Sequence, residues 1–104
     1  MLQLFKQIFG KEPSIDFKTM VQQGAVIIDV RTTGEYNGGH IKGSLNIPVD
    51  RIASKIEEIK KKGKPVITCC RSGARSGMAA GILKKQGIAC YNGGTWNSLQ
   101  MKIK

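Results

Sequence analysis

The run Ala25 to Val30, AVIIDV, constrains the fold more than any other stretch of the chain. Its apolar side chains fall on consecutive positions, so a strand made from it buries both faces, as strands inside a parallel sheet do. Parallel strands cannot be joined by tight turns and need crossover connections, usually helices. The sequence supplies them. Phe17, Met20 and Val21 share a helical face that Ser14 or Asp16 can cap and Gly24 ends. Ile52, Ile56 and Ile59 form a second stripe with Asp50 as its cap, Met78, Ala79, Ile82 and Leu83 a third, and Trp96, Leu99 and Ile103 a last. Between them Ser44 to Ile47, Val66 to Thr68 and Ile88 to Tyr91 read as short strands, the last followed by a turn at Asn92-Gly93-Gly94. Such alternation gives an α/β domain around a parallel sheet. At 104 residues the chain holds one core, over residues 13–104, and Leu2, Phe5 and Phe9 mark a helical extension over residues 1–12.

Function concentrates where Val66 to Thr68 gives way to the third stripe. Cys70 to Arg75, CRSGAR, is then a strand-to-helix loop beyond the carboxyl end of a strand, the place where α/β sheets bind ligands. Successive backbone N–H groups in such a loop, with the N-terminus of the following helix, form a concave nest that favours negative charge. A cysteine there, beside cations such as Arg71 and Arg75, has its pKa lowered to about 3.5–7.5 from about 8.5. Cys70 is therefore the candidate nucleophile, and Arg71, Ser72, Gly73, Ala74 and Arg75 are the candidate substrate-binding loop. None of these five side chains shuttles protons near neutral pH. Sulfur transfer between thiolates fits such a loop, because the leaving group departs as an anion, whereas amide hydrolysis needs a protonated one.

The net charge of +10 is unevenly placed: residues 1–58 hold seven basic and seven acidic side chains, residues 59–104 ten basic and none acidic. The half carrying Cys70 is expected to concentrate small anions and support a thiolate. Nucleic acid is not expected as a partner, since the basic residues are not interleaved with aromatics and no zinc-finger or RNP-type motif occurs. Cys69, Cys70 and Cys90 lack metal-ligand spacing and His40 is the only histidine, so no metal or cofactor is expected. Neighbouring Cα atoms lie about 3.8 Å apart, too close for the usual disulfide span of about 4.4–6.8 Å. Free thiols and a reducing, cytoplasmic compartment follow as expectations. No stretch is long and apolar enough to span a membrane, and the N-terminal residues lack a signal-peptide pattern. Asp29, buried by its apolar neighbours, must be paired or hydrogen-bonded and reads as a structural tie. His40, between glycines, reads as a satisfied turn or core histidine, and Thr32 with Glu35 has capping-box spacing.

Three segments in order carry a family resemblance. AVIIDVRTTGEYNGGHIKGSLNIP, VITCCRSGARSGMAAGILKKQG and YNGGTW resemble the N-terminal signature, the active-site strand, loop and helix, and the C-terminal Gly-Gly segment of a rhodanese domain, over about Ser14 to Met101. The resemblance implies a three-layer α/β sulfurtransferase, a central parallel sheet with helices on both faces, in which Cys70 becomes a persulfide cradled by the N–H groups of Arg71 to Arg75. It also implies a small anionic sulfur donor such as thiosulfate, a thiol or cyanide acceptor, a protein persulfide as a further partner, and a monomer. The fold is similar to that of Cys-dependent phosphatases and arsenate reductases, whose loop carries an arginine six positions after the nucleophile. Here Ser76 stands at that position and Arg75 one before it, the tighter loop that accompanies sulfur substrates. Non-catalytic rhodanese-like binding modules commonly lack the cysteine. Cys69 is not required by the pattern, and strand alternation turns it away from Cys70 as a buried bystander. Arg75, in the first helical turn, is expected to fold back on loop carbonyls or an anion, and Arg71 to project toward the entrance. The Gly-Gly segment is short before Trp96, so the loop beside the site is expected to differ in shape.

Overall fold

The computed structural model describes residues 15–104, and the helical extension expected over residues 1–12 lies outside them. Asp16 caps α1 (Phe17–Gln22): its carboxylate accepts the Thr19 N–H at 3.0 Å and the Thr19 hydroxyl at 2.7 Å. After Gly24, at φ 103°, the apolar run forms β1 (Val26–Asp29). Thr32 and Glu35 make the capping box of α2 (Thr33–Asn37), and β2 is the short Leu45–Asn46. The isoleucine stripe expected to be one helix capped by Asp50 is instead a 3₁₀ segment, Val49–Lys55, that passes into α3 (Ile56–Lys61). Pro48 takes the N-cap position and no side chain caps that segment. Then follow β3 (Val66–Cys70), α4 (Ala74–Lys85), β4 (Cys90–Thr95) and α5 (Trp96–Lys102).

The four strands are parallel, in the order β2-β1-β3-β4. Successive side chains point to opposite faces. Ile28, Val66, Cys70 and Cys90 meet Ile52, Ile59, Ala79, Ala80 and Leu83 on one face, while Ile27, Ile67 and Cys69 meet Phe17, Ile41 and Leu99 on the other. The 3₁₀ segment, α3 and α4 thus cover one side of the sheet and α1 and α5 the other, giving the three layers expected. All five residues of β3 are buried.

β4 departs from expectation. Asn92, Gly93 and Gly94 are not a turn but part of the strand, which continues to Thr95. Thr68 pairs with Asn92 and Cys70 with Thr95, so one extra residue of β4 is taken up in a bulge beside the end of β3. Gly94 lies there at φ 81°. Gly93 is required for a different reason: a Cβ on it would lie 2.8 Å from the Thr68 carbonyl oxygen, 2.9 Å from Ile67 Cγ2 and 3.0 Å from Leu99 Cδ2. The Thr68 oxygen belongs to a central buried strand and cannot give way cheaply. Gly93→Ala is expected to destabilise the domain by about 1–3 kcal/mol through overpacking, read from urea denaturation. An unchanged midpoint would show that β4 stands further from β3 than described.

The lysines also correct a sequence expectation. Lys60, Lys61, Lys62 and Lys64 lie just before β3, and Lys84 and Lys85 close α4 ahead of β4. They therefore sit at the amino edge of the sheet, while Cys70 ends β3 at the carboxyl edge. Five residues of strand at about 3.3 Å each separate the two by about 16 Å, beyond a Debye length of about 8 Å. The basic half of the sequence is not a basic face around the thiol.

Candidate active site

Strand alternation puts Cys70 on the α4 side of the sheet and Cys69 on the opposite one. Gly73, at φ 95°, turns the chain into α4, and the loop so formed closes over the sulfur. The Gly73 N–H donates to Cys70 Sγ at 2.9 Å, the Ser76 N–H lies 3.4 Å from it, and Ser76 Oγ is also 3.4 Å away. Burial pushes the Cys70 thiol up. The Ser76 hydroxyl and the backbone N–H groups of Ser76, Gly73 and Ser72 outweigh it, and the thiol titrates below its ordinary value. Burial pushes Cys69 up to about 12 and Cys90 up to about 11. Of the three thiols, Cys70 alone is set up to ionise easily.

The loop residues divide. Arg71, Ser72 and Ala74 are exposed, and Gly73 and Arg75 half-buried. Arg71 makes no hydrogen bond to the described residues. The Arg75 guanidinium does not fold back on the loop carbonyls; it forms a two-pronged pair with Glu35 of α2, at 2.8 and 3.0 Å. That pair fastens the first turn of α4 to α2. Ser76, fully buried, faces the sulfur with both its N–H and its hydroxyl, a role not anticipated from sequence. The available signal was its place in the first turn of a helix that begins at the sulfur, where N–H groups lack helical partners.

Hydrogen bonds from Arg75, then from the Thr32 N–H, hold the Glu35 carboxyl down to about 2, against 4.5 ordinarily. A carboxyl depressed in the folded state contributes stability that is fully present above about 4.5 and lost as pH falls toward about 2. Glu35→Gln is therefore expected to flatten the dependence of unfolding free energy on pH in that window, measured by urea denaturation at several pH values. An unchanged slope would show that the pair is not formed in solution.

Asp29 and Arg31 are structural, as expected for Asp29. The Asp29 carboxylate is fully buried and accepts from Arg31 Nε at 2.9 Å, Nη2 at 2.7 Å and N–H at 3.0 Å. Arg31 Nη2 also donates to the Gly39 carbonyl at 2.7 Å, and its guanidinium lies 4.8 Å from the centre of the Trp96 ring. His40 stacks on Tyr36 with ring centres 3.7 Å apart, and its Nδ1 donates to the Tyr36 carbonyl at 2.8 Å. It is a turn histidine. No group of three His, Cys, Asp or Glu side chains among the described residues is arranged to hold a metal ion. No helix among them is long and apolar enough to cross a membrane.

Residues 15–98 match the Rhodanese-like domain, and the chain belongs to the rhodanese family. It is 34% identical over 87 residues to YrkF, a proposed sulfur carrier protein of Bacillus subtilis, covering 84% of this chain and 41% of that one. It is 37% identical over 111 residues to a mitochondrial protein of Schizosaccharomyces pombe named as a proposed thiosulfate sulfurtransferase, covering 92% and 78%. Among solved structures, a rhodanese with anions from E. coli superposes with a TM-score of 0.66 at 30% identity, covering 72% of this chain and 91% of that one. The chain spans about half the length of curated relatives it matches, 54% of one and 41% of another.

Proposed function

We propose that the protein is a sulfurtransferase that carries sulfane sulfur as a persulfide on Cys70, within a unit formed by residues 13–104. The observation that supports this reading most is the convergence of loop N–H groups and the Ser76 hydroxyl on one sulfur, to which no acid or base among the described residues is hydrogen-bonded. With thiosulfate, the Cys70 thiolate attacks the outer sulfur, a sulfur–sulfur bond forms, and the bond to the sulfonate sulfur breaks with its electron pair leaving as sulfite. The outer sulfur then carries the negative charge. Cyanide or a thiolate attacks that sulfur, the persulfide bond breaks, and Cys70 leaves as a thiolate, so no step needs a proton. A phosphate ester would need one for its leaving alkoxide.

Two further features support the reading. At the sixth position after the nucleophile, Ser76 offers a small hydroxyl where the phosphatase loop has a guanidinium for a phosphoryl group. The names of relatives also point to sulfur chemistry: a sulfur carrier, a thiosulfate sulfurtransferase and, at 28% identity, a tRNA sulfurtransferase of Thermoplasma acidophilum. We extend from these to donors of small anionic or protein persulfide type and to thiol or cyanide acceptors. Arg71, exposed at the loop, would meet an anionic donor, and Ser72, Gly73, Ala74 and Arg75 would shape the anion site. Cys70 exposes no surface, so a donor reaches the sulfur only after the loop or the neighbouring bulge of β4 shifts. Steady-state assays with thiosulfate and cyanide, with an aryl phosphate and with arsenate in parallel, test the reading. Thiocyanate formation is expected, with no comparable turnover of the other two; preferential release of phosphate or reduction of arsenate would overturn it.

A further inference from the structure

Asn92 lies in β4, outside the loop, yet it is the residue most closely tied to the groups around the sulfur. Its register partner is Thr68, whose side chain bonds the Ser76 carbonyl of α4, so Asn92 faces α4 as well. Its carboxamide is held by two backbone groups of opposite kind: Nδ2 donates to the Gly73 carbonyl at 3.2 Å, and Oδ1 accepts the Gly94 N–H at 2.9 Å. Reversing the amide would set a donor against a donor and an oxygen against an oxygen, so its orientation is fixed. Ser76 Oγ lies 2.7 Å from that fixed Oδ1. Oδ1 can only accept, so in this contact, the shortest that Ser76 Oγ makes, the hydroxyl points its hydrogen at Asn92.

A hydroxyl has one hydrogen. With it directed at Asn92, Ser76 Oγ presents lone pairs to Cys70 Sγ at 3.4 Å, an arrangement that suits the protonated thiol as donor. When the sulfur is charged, the same hydroxyl does better turned toward it, with the Gly73 carbonyl at 3.0 Å as a third claimant on the hydrogen. We propose that Asn92 is a positioning residue that sets the charge on the active-site sulfur by competing with it for the Ser76 hydroxyl hydrogen. Reading that sulfur as the one that carries sulfane sulfur rests on the proposed function; the competition itself does not. The charged groups nearest the loop are exposed Arg71 and Arg75 with its partner Glu35 on α2, while the Asp29–Arg31 pair at the end of β1 lies on the Cys69 side of the sheet. None hydrogen-bonds Ser76 or Asn92 among the described residues.

The test is a double-mutant cycle read as the pKa of Cys70, from thiolate ultraviolet absorbance against pH, in Cys69→Ser/Cys90→Ser protein. Ser76→Ala is expected to raise that pKa, since it removes a donor to the thiolate. Asn92→Ala has two effects, a looser loop, which raises the pKa, and a freed hydroxyl, which lowers it. Only the second needs Ser76. The shift caused by Asn92→Ala is therefore expected to be lower by about half a unit when Ser76 is present than in the Ser76→Ala background, on the scale of one modest hydrogen bond. Asn92→Asp keeps both acceptor contacts, adds negative charge and sets an oxygen in place of the donor to the Gly73 carbonyl, and is expected to raise the pKa. Equal shifts from Asn92→Ala in both backgrounds, or a lowered pKa with Asn92→Asp, would overturn the competition and leave Asn92 as a loop clamp. Circular dichroism confirms that each variant is folded. Failure to turn over thiosulfate would refute the sulfurtransferase reading without altering the cycle.

Discussion

Replacing Cys70 with serine is expected to reduce thiosulfate-to-cyanide transfer by roughly a thousandfold or more, as loss of a covalent nucleophile does. Serine keeps nearly the same shape and leaves the loop donors without their anion, so the loss would report chemistry rather than folding. Cys69→Ser and Cys90→Ser are expected to retain turnover. Their thiols are pushed up to about 12 and about 11 by burial, and Cys69 faces the opposite side of the sheet. Steady-state rates on the three variants decide the matter. Activity surviving in Cys70→Ser but lost in Cys69→Ser would place the nucleophile on the wrong face of the sheet for the loop described.

The second large effect concerns stability. Arg31→Met is expected to destabilise the domain by about 3–5 kcal/mol, because it leaves the Asp29 carboxylate buried without its partner. Asp29 is fully buried, and among the described residues its carboxylate accepts hydrogen bonds only from the Arg31 guanidinium and the Arg31 N–H. The arginine also reaches the Gly39 carbonyl and the Trp96 ring, so its loss loosens the turn before β2 and the start of α5 together. Replacing both members with uncharged residues, Asp29→Asn with Arg31→Met, is expected to recover part of the loss, since no unpaired charge remains. Urea denaturation measures both. If the single variant lost less than the double, the pair would not be the source of the effect.

Much of the fold was legible because burial on two faces leaves a mark that periodicity can read. Val26 to Ile28, and Val66 with Ile67, are apolar on consecutive positions, and the runs that carry them became the two central strands. The end of β4 was not legible for the opposite reason. Asn92-Gly93-Gly94 has turn composition, but Gly93 is there because the Thr68 carbonyl leaves no room for a Cβ, which no local pattern reveals. The site divides in the same way. The loop amides follow from a strand ending where a helix begins, whereas the pairing of Arg75 with Glu35 joins residues forty positions apart, which no local pattern reveals. Ser76 and Asn92 meet only because the register of β4 on β3 brings them together. Charge misled in a simpler way, since a basic half of a sequence need not be a basic face when strands carry it to the far edge of the sheet.

The central claim, that sulfur resides on Cys70, is tested most directly by the mass of the peptides released from protein incubated with thiosulfate. The peptide containing residues 69 and 70 is expected to gain one sulfur atom, lost on treatment with cyanide, in wild-type and Cys69→Ser protein but not in Cys70→Ser. A sulfur that persists in Cys70→Ser, or no gain of sulfur in any of the three, would contradict it.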